Sequence, residues 1–145
     1  MKIVAKNKKA FYDYEIIKKY ESGIILEGYE VKGIKAGKVS IKESFISKGD
    51  KALVLKNSYV EIPSYAVQFA NSDKRDKKLL LKKSEIAEIK KGIDIKGQTV
   101  VPLDIYINDK GLIKLTIALA KGKKEYEKRE TIKERDIKRK IKEEY

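Results

Sequence analysis

The chain contains neither cysteine nor histidine. The lack of cysteine excludes a disulfide framework, a thiol nucleophile and a thiolate metal site. The lack of histidine removes the commonest general base and the commonest metal ligand, and it leaves serine and threonine hydroxyls without an imidazole to activate them. These absences argue against an enzyme, and the sequence predicts neither a metal site nor a bound cofactor.

Long hydrophobic runs are lacking as well. Residues 1–7 do not contain the apolar segment of a signal peptide, and no stretch approaches the length that spans a membrane. The sequence therefore predicts a cytoplasmic protein with no membrane partner. A basic tail lying on an anionic membrane is a weaker alternative, because the apolar stripe of Ile137, Ile141 and Tyr145 is narrow.

Charge is what the chain has in abundance. Charged residues make up 39% of the sequence, and 35 Lys and Arg outnumber 22 Asp and Glu, for a formal net charge of +13. A basic surface favours a polyphosphate partner, because each neutralised phosphate releases condensed counterions. The alternative is a lysine-rich composition that has no such role.

The sequence divides into a body and a tail. A chain of 145 residues has room for one core, which we expect in a β-barrel domain over residues 1–121. Residues 122–145 are almost wholly charged, and such a composition does not bury enough apolar surface to fold alone. We expect this basic tail to be disordered in the free protein and helical once a partner supplies phosphates. A merely solubilising tail is the alternative.

The clearest structural signal is a hairpin near the end of the body. Apolar residues recur at every second position over 101–107 and again over 113–119, and residues 108–111 supply a turn. This pattern predicts an antiparallel hairpin with one buried face. Pro102 has no backbone N–H, so its strand is expected to be an edge strand or to be bulged there.

The other elements have weaker signals. They are a basic arm over 2–9, a strand at 12–16, a short helix within 23–35, strands at 39–47, 51–56 and 59–62, a loop over 64–78, and a helix capped by Ser84. About six short antiparallel strands with small helices favour a mainly β fold, with a partly open barrel of the oligonucleotide-binding type. A β-sandwich fits the strand count nearly as well.

Lysines are interleaved with aromatic residues near both ends of the chain, as they are in RNA-binding segments. Lysine neutralises phosphates, and an exposed tyrosine such as Tyr126 adds roughly 1–3 kcal/mol by stacking on an unpaired base. Tyr12 and Tyr14 fit ordinary core positions equally well. The acidic pairs Glu27–Glu30 and Glu85–Glu88 are each three residues apart, and we expect them on solvated helix surfaces.

Several motifs point to one family when they are taken together. In chain order they are Asn7-Lys8-Lys9-Ala10, Gly28-Tyr29-Glu30-Val31-Lys32, Lys78-Leu79-Leu80-Leu81, Ala118-Leu119-Ala120-Lys121-Gly122-Lys123-Lys124 and Lys128-Arg129-Glu130-Thr131. They resemble the family of the SsrA-binding protein, also called small protein B. The resemblance implies an oligonucleotide-binding-like antiparallel β-barrel with two or three short helices and a charged C-terminal tail.

The resemblance also implies an RNA-binding adaptor. Proteins of this family bind the tRNA-like domain of transfer-messenger RNA and deliver it, with elongation factor Tu, to stalled ribosomes. The tail then occupies the empty message channel of the small subunit, in the rescue process called trans-translation. A general basic protein that binds the ribosome or single-stranded RNA is the alternative.

The resemblance assigns two groups of site residues. Those expected to face the RNA are Asn7, Lys8, Glu30, Lys32, Leu80, Lys114 and Lys121. Those expected in the decoding centre and message channel are Tyr126, Lys128, Arg129, Lys133 and Arg135. Glu30 differs from the others, because an acid facing RNA must accept hydrogen bonds from base or ribose donors.

Overall fold

The computed structural model describes residues 1–49, 52–68 and 72–123. Within these ranges the chain forms nine strands and three α-helices. The strands are β1 (Lys2–Lys6), β2 (Tyr14–Ile24), β3 (Val39–Ser40), β4 (Phe45–Lys48), β5 (Leu53–Lys56), β6 (Tyr59–Val60), β7 (Lys77–Leu80), β8 (Gln98–Ile107) and β9 (Ile113–Gly122). The helices are α1 (Lys8–Asp13), α2 (Gly28–Lys35) and α3 (Lys83–Ile93), and a 3-10 turn spans Ser64–Ala66. Among the same residues, no helix has the length and apolar character needed to cross a membrane.

Seven strands form one antiparallel sheet in the order β1-β8-β9-β2-β7-β5-β4, and β3 pairs with β6 apart from it. The sheet curls until β4 approaches β8, and both strands line a cavity beside α1. No ladder joins β4 to β8 within the part of the chain that the structure describes. The predicted oligonucleotide-binding-like β fold is therefore confirmed, as a curled sheet whose barrel is not closed.

The predicted β8–β9 hairpin is confirmed and lies inside the sheet. Its buried face packs with helix α3, where Ile105, Leu115 and Ile117 join Ile89 in the main core. An edge position for Pro102 is wrong, because β8 lies between β1 and β9. The predicted bulge is present instead: the register between β8 and β9 shifts between Pro102 and Asp104, at the position where the proline lacks a donor.

The opposite face of the sheet carries a smaller core under helix α1. Its buried members are Ala10, Val101, Leu103, Ala118 and Ala120. The side chain of Asn7 starts α1 by accepting a hydrogen bond from the backbone N–H of Ala10. The predicted basic arm is thus β1 followed by a helix, and Tyr12 lies in that helix rather than in the strand predicted for it, which begins at Tyr14.

Several predicted boundaries need correction. The helix predicted within 23–35 begins only at Gly28, because β2 continues to Ile24 as an inner strand. Helix α3 is capped at Lys82 rather than at Ser84, and the Lys82 N–H donates to Oε1 of Glu85 at 3.1 Å. The strand predicted over 39–47 is divided into β3 and β4, and the loop predicted over 64–78 includes the 3-10 turn and the start of β7.

Candidate nucleic-acid interface

The face of the sheet away from the main core carries a row of five residues that cross-strand pairing places side by side. In order across β1, β8, β9, β2 and β7 they are Ile3, Tyr106, Lys114, Gly23 and Leu80. Ile3 and Leu80 are apolar and yet exposed, Leu80 by 55%. The row therefore brings together Leu80 and Lys114, two residues expected to face RNA. We call this row, together with the adjacent row of Lys6, Asp104, Thr116 and Glu21, the outer sheet face.

Gly23 lies between Lys114 and Leu80, and the side chain of Leu80 packs against it. A Cβ atom added at Gly23 would lie 3.1 Å from Cβ of Leu80, which is closer than ordinary van der Waals contact. Glycine at this position leaves room for the leucine side chain of the neighbouring strand. The row thus presents the cation of Lys114 and the exposed apolar side chain of Leu80 close together, and these groups suit the phosphate and the base or ribose of a nucleotide.

The neighbouring row supplies an acid that the sequence did not single out. It consists of Lys6, Asp104, Thr116 and Glu21, on β1, β8, β9 and β2. Glu21 is exposed, lies two residues from Gly23 on β2, and is hydrogen bonded to the hydroxyl of Tyr106. An exposed carboxylate can accept hydrogen bonds from base or ribose donors. Glu21 thus has the position that had been expected of Glu30.

Two main effects raise the pKa of Tyr106 from 10.0 to about 12. Burial of the phenol is the larger effect, and its hydrogen bond to Glu21 is the smaller. The folded chain then keeps a phenol proton that the unfolded chain loses, so this contribution to stability is present below pH 10 and is lost as the pH rises towards about 12. We expect the free energy of unfolding of Tyr106→Phe to fall less over this range than that of the parent chain. Urea denaturation across the alkaline range measures this, with the exposed Tyr59→Phe as control, and parallel curves for the two variants would refute it.

Glu30 lies inside the protein, which corrects the expectation that it faces RNA. Glu30 and Lys77 are each only 1% exposed. Oε1 of Glu30 accepts hydrogen bonds from Nε and Nη2 of Arg75 at 3.1 and 2.6 Å, and its Oε2 lies 3.5 Å from Nζ of Lys77. Nζ of Lys77 also donates to Oγ of Ser58 at 2.9 Å. The carboxylate is therefore committed to an internal ion cluster of Glu30, Arg75 and Lys77.

This ion cluster lies on the side of the sheet opposite to the outer sheet face, because Lys77 and Leu80 are on opposite faces of β7. Nη2 of Arg75 also donates to the carbonyl of Ile25 at 3.1 Å, at the end of β2. The N–H of Glu27 donates to Oε1 of Glu30 at 2.8 Å. The hydrogen bond to Glu30 raises the pKa of Arg75, and burial lowers the pKa of Lys77. Glu30 and Arg75 thus hold residues 25–27, which connect the end of β2 to helix α2, in place.

Asn7 is also a structural residue rather than a surface contact. It is buried, its Nδ2 donates to the carbonyl of Pro102 at 3.0 Å, and its Oδ1 accepts from the N–H of Ala10 at 3.3 Å. Both ends of the amide are therefore engaged, which corrects its assignment as an RNA contact. The side chain joins the start of α1 to the bulge in β8.

The three remaining lysines of the first group are exposed. Lys8 begins α1, Lys32 lies on α2, and Lys121 lies near the end of β9. Nζ of Lys32 is 5.2 Å from the ring centroid of Tyr65, so a cation and an exposed aromatic ring are presented together. Tyr126, Lys128, Arg129, Lys133 and Arg135 lie outside the described residues.

The chain matches the protein-family model described as SmpB protein over residues 4–145. It is similar to the SsrA-binding protein of Flavobacterium johnsoniae, with 47% identity over 133 residues that cover 92% of this chain and 88% of the relative. The SsrA-binding protein of Fusobacterium nucleatum is 47% identical over 143 residues, 99% of this chain and 96% of the relative. That of Agrobacterium fabrum is 49% identical over 135 residues, 93% and 84% respectively.

A solved structure shares the fold. One of its chains, from work described as "tmRNA-SmpB: a journey to the center of the bacterial ribosome", matches with a TM-score of 0.67 and 41% identity, over 83% of this chain and 84% of that one. The family model and the relatives cover nearly the full length of the sequence, and the structural match covers most of the described body. The chain therefore belongs to the SmpB family.

Proposed function

We propose that the chain is an RNA-binding adaptor that binds the tRNA-like domain of transfer-messenger RNA and delivers it to stalled ribosomes for trans-translation. The observation that carries this proposal is the outer sheet face, where Lys114, Gly23, Leu80 and Glu21 meet in two adjacent rows. Family membership and the names of the relatives, which bind SsrA, support the same partner. We propose no catalytic role and no cofactor.

The chemistry of this face suits a folded RNA better than a regular duplex. Lys114 can neutralise a phosphate whatever the base sequence, and it gives affinity that falls with salt. Glu21 repels phosphates and can only accept hydrogen bonds, so it favours a place where base N–H groups or ribose hydroxyls are presented. Leu80 offers an apolar contact for a base that is not stacked in a helix. Recognition would therefore depend on the shape of the RNA.

The tail is assigned the second half of the function. Tyr126, Lys128 and Arg129 would act at the decoding centre of the small subunit, and Lys133 and Arg135 would follow along the empty message channel. The tail would be disordered alone and helical there. Delivery would occur in a complex with elongation factor Tu, and these partners would place the protein in the cytoplasm.

Two substitutions test the RNA contact and separate affinity from selectivity. We expect Lys114→Ala to weaken binding to transfer-messenger RNA and to reduce the slope of log K against log salt by about 0.7–0.9, because one phosphate contact is lost. We expect Glu21→Gln to leave that slope unchanged and to reduce the preference for this RNA over an unrelated tRNA. Filter binding over a salt series with both RNAs measures these quantities.

The control for both variants is Lys91→Ala, an exposed lysine on α3 away from the outer sheet face. It should change neither the slope nor the preference. A parent chain that binds unrelated tRNA as tightly as transfer-messenger RNA would support the alternative of a general basic RNA-binding protein. Sequencing of the RNA that co-purifies with the chain from cells gives an independent answer.

A further inference from the structure

A groove of about 490 Å³ opens between strands β4, β5 and β7. Its floor is formed by small and apolar side chains, including Ala52 and Val54, and lysines stand along it. None of the residues that line it belongs to the two rows of the outer sheet face or to the ion cluster. The groove is open to solvent along one side, which suits an extended chain better than an enclosed small molecule.

Strand register makes the groove a continuation of the outer sheet face. Lys78 precedes Leu80 by two residues on β7, so the two side chains share a face. Val54 is paired with Lys78 on one side and with Ser47 on the other, and the next row holds Lys56, opposite Phe45. A strand of RNA that contacts Leu80 therefore meets Lys78 and then Lys56 without crossing an edge of the sheet.

Among the described residues that line the groove, three lysines, Lys48, Lys56 and Lys78, outnumber one acid, Asp76. Nζ of Lys56 lies 3.8 Å from Oδ2 of Asp76, but both side chains are largely exposed and such a pair contributes little. Lys78 forms no ion pair with any described residue. Nζ of Lys48, at the rim, is 3.3 Å from Oδ1 of Asp94 and is directed to the end of helix α3. Lys56 and Lys78 remain as two cations above an apolar floor.

We propose that this groove binds the ribose-phosphate backbone of transfer-messenger RNA beyond the segment held at the outer sheet face. Lys56 and Lys78 each neutralise one phosphate, and Val54 contacts an adjoining sugar. The proposal rests on the proposed function, since it extends that binding surface by two strands, β5 and β4. It names two phosphate contacts that none of the motif-assigned residues includes.

The test compares two double variants of equal charge. One is Lys56→Ala with Lys78→Ala, and the control is Lys42→Ala with Lys91→Ala, two exposed lysines outside the groove and the outer sheet face. For the groove variant, we expect weaker binding of isolated transfer-messenger RNA and a salt slope reduced by about 1.5, as the loss of two phosphate contacts requires. The control pair should keep most of the slope, and Lys56→Arg with Lys78→Arg should restore it. Circular dichroism and urea denaturation establish that every variant is folded.

The outcomes distinguish this proposal from the proposed function. If the groove variant keeps its slope and affinity while Lys114→Ala loses both, the groove is not a backbone site and the proposed function stands. If the loss appears only with ribosomes and not with the isolated RNA, the assignment to transfer-messenger RNA is also overturned. If the parent chain shows no preference for transfer-messenger RNA, the proposed function fails and the groove proposal fails with it.

Discussion

A chain that lacks residues 125–145 is expected to bind transfer-messenger RNA as the full chain does and to support no tagging of stalled peptides. The outer sheet face and the ion cluster behind it lie wholly within the described body. Strand β9 ends at Gly122, and the N–H of Lys123 donates to the carbonyl of Asp13 at 2.9 Å. The last described residue, Lys123, is thus hydrogen bonded to the end of helix α1, and we expect the body to keep its packing when the residues after it are removed.

Two assays on the same preparations separate RNA binding by the body from the action of the tail on the ribosome. RNA affinity should stay within about twofold, because the deleted segment carries nearly as many acidic as basic residues and adds few net phosphate contacts. Tagging in a reconstituted translation reaction on a message without a stop codon should fall to background. A full-length chain with Lys128→Ala and Arg129→Ala should resemble the truncation, and Lys142→Ala, near the end of the tail, should not. Tagging by the truncated chain would exclude the assigned role of the tail.

The elements that could be predicted from sequence are those whose pattern is local. The β8–β9 hairpin follows from two runs of alternating residues and one turn, and both strands lie inside the sheet, where one face is buried in the main core. Strand β2 was recognised only at its start. The register between β2 and β9 shifts between Ile16 and Lys18, and this irregularity interrupts the two-residue alternation. For the same reason the position of Glu21 could not be predicted: the alternation read from residues 12–16 does not continue past the shift, so it does not tell which face of the sheet Glu21 lies on.

The burial of Glu30 could not be predicted from a local pattern. Glu27 and Glu30 are three residues apart on a short helix, a spacing typical of solvated surface. What buries Glu30 is Arg75, which is 45 residues away in the chain, together with Lys77 on β7. Contacts of this range depend on how the loop before β7 returns to helix α2, which no periodicity encodes. The family motif marked Glu30 as important without telling whether it contacts RNA or supports the surface.

Glu30→Ala is expected to lower the free energy of unfolding by about 3–5 kcal/mol, because it leaves Arg75 and Lys77 without their shared carboxylate in a buried position. Glu30→Gln should cost less, since an amide oxygen can still accept from Arg75. Urea denaturation at neutral pH measures both. The control is Glu61→Ala, which removes an exposed pair with Lys38 at 3.1 Å and should cost less than about 1 kcal/mol.

A double variant tests whether the loss comes from the buried charge. Lys77→Met keeps the length of the side chain and removes its charge, so Glu30→Gln combined with Lys77→Met should recover part of the stability lost in Glu30→Gln alone. RNA binding gives the second readout. If Glu30 supports the outer sheet face, its variants lose affinity in step with stability, and the double variant regains both. A Glu30→Gln chain with the parent's stability and a large loss of RNA affinity would instead mean that the carboxylate leaves the ion cluster to contact RNA directly.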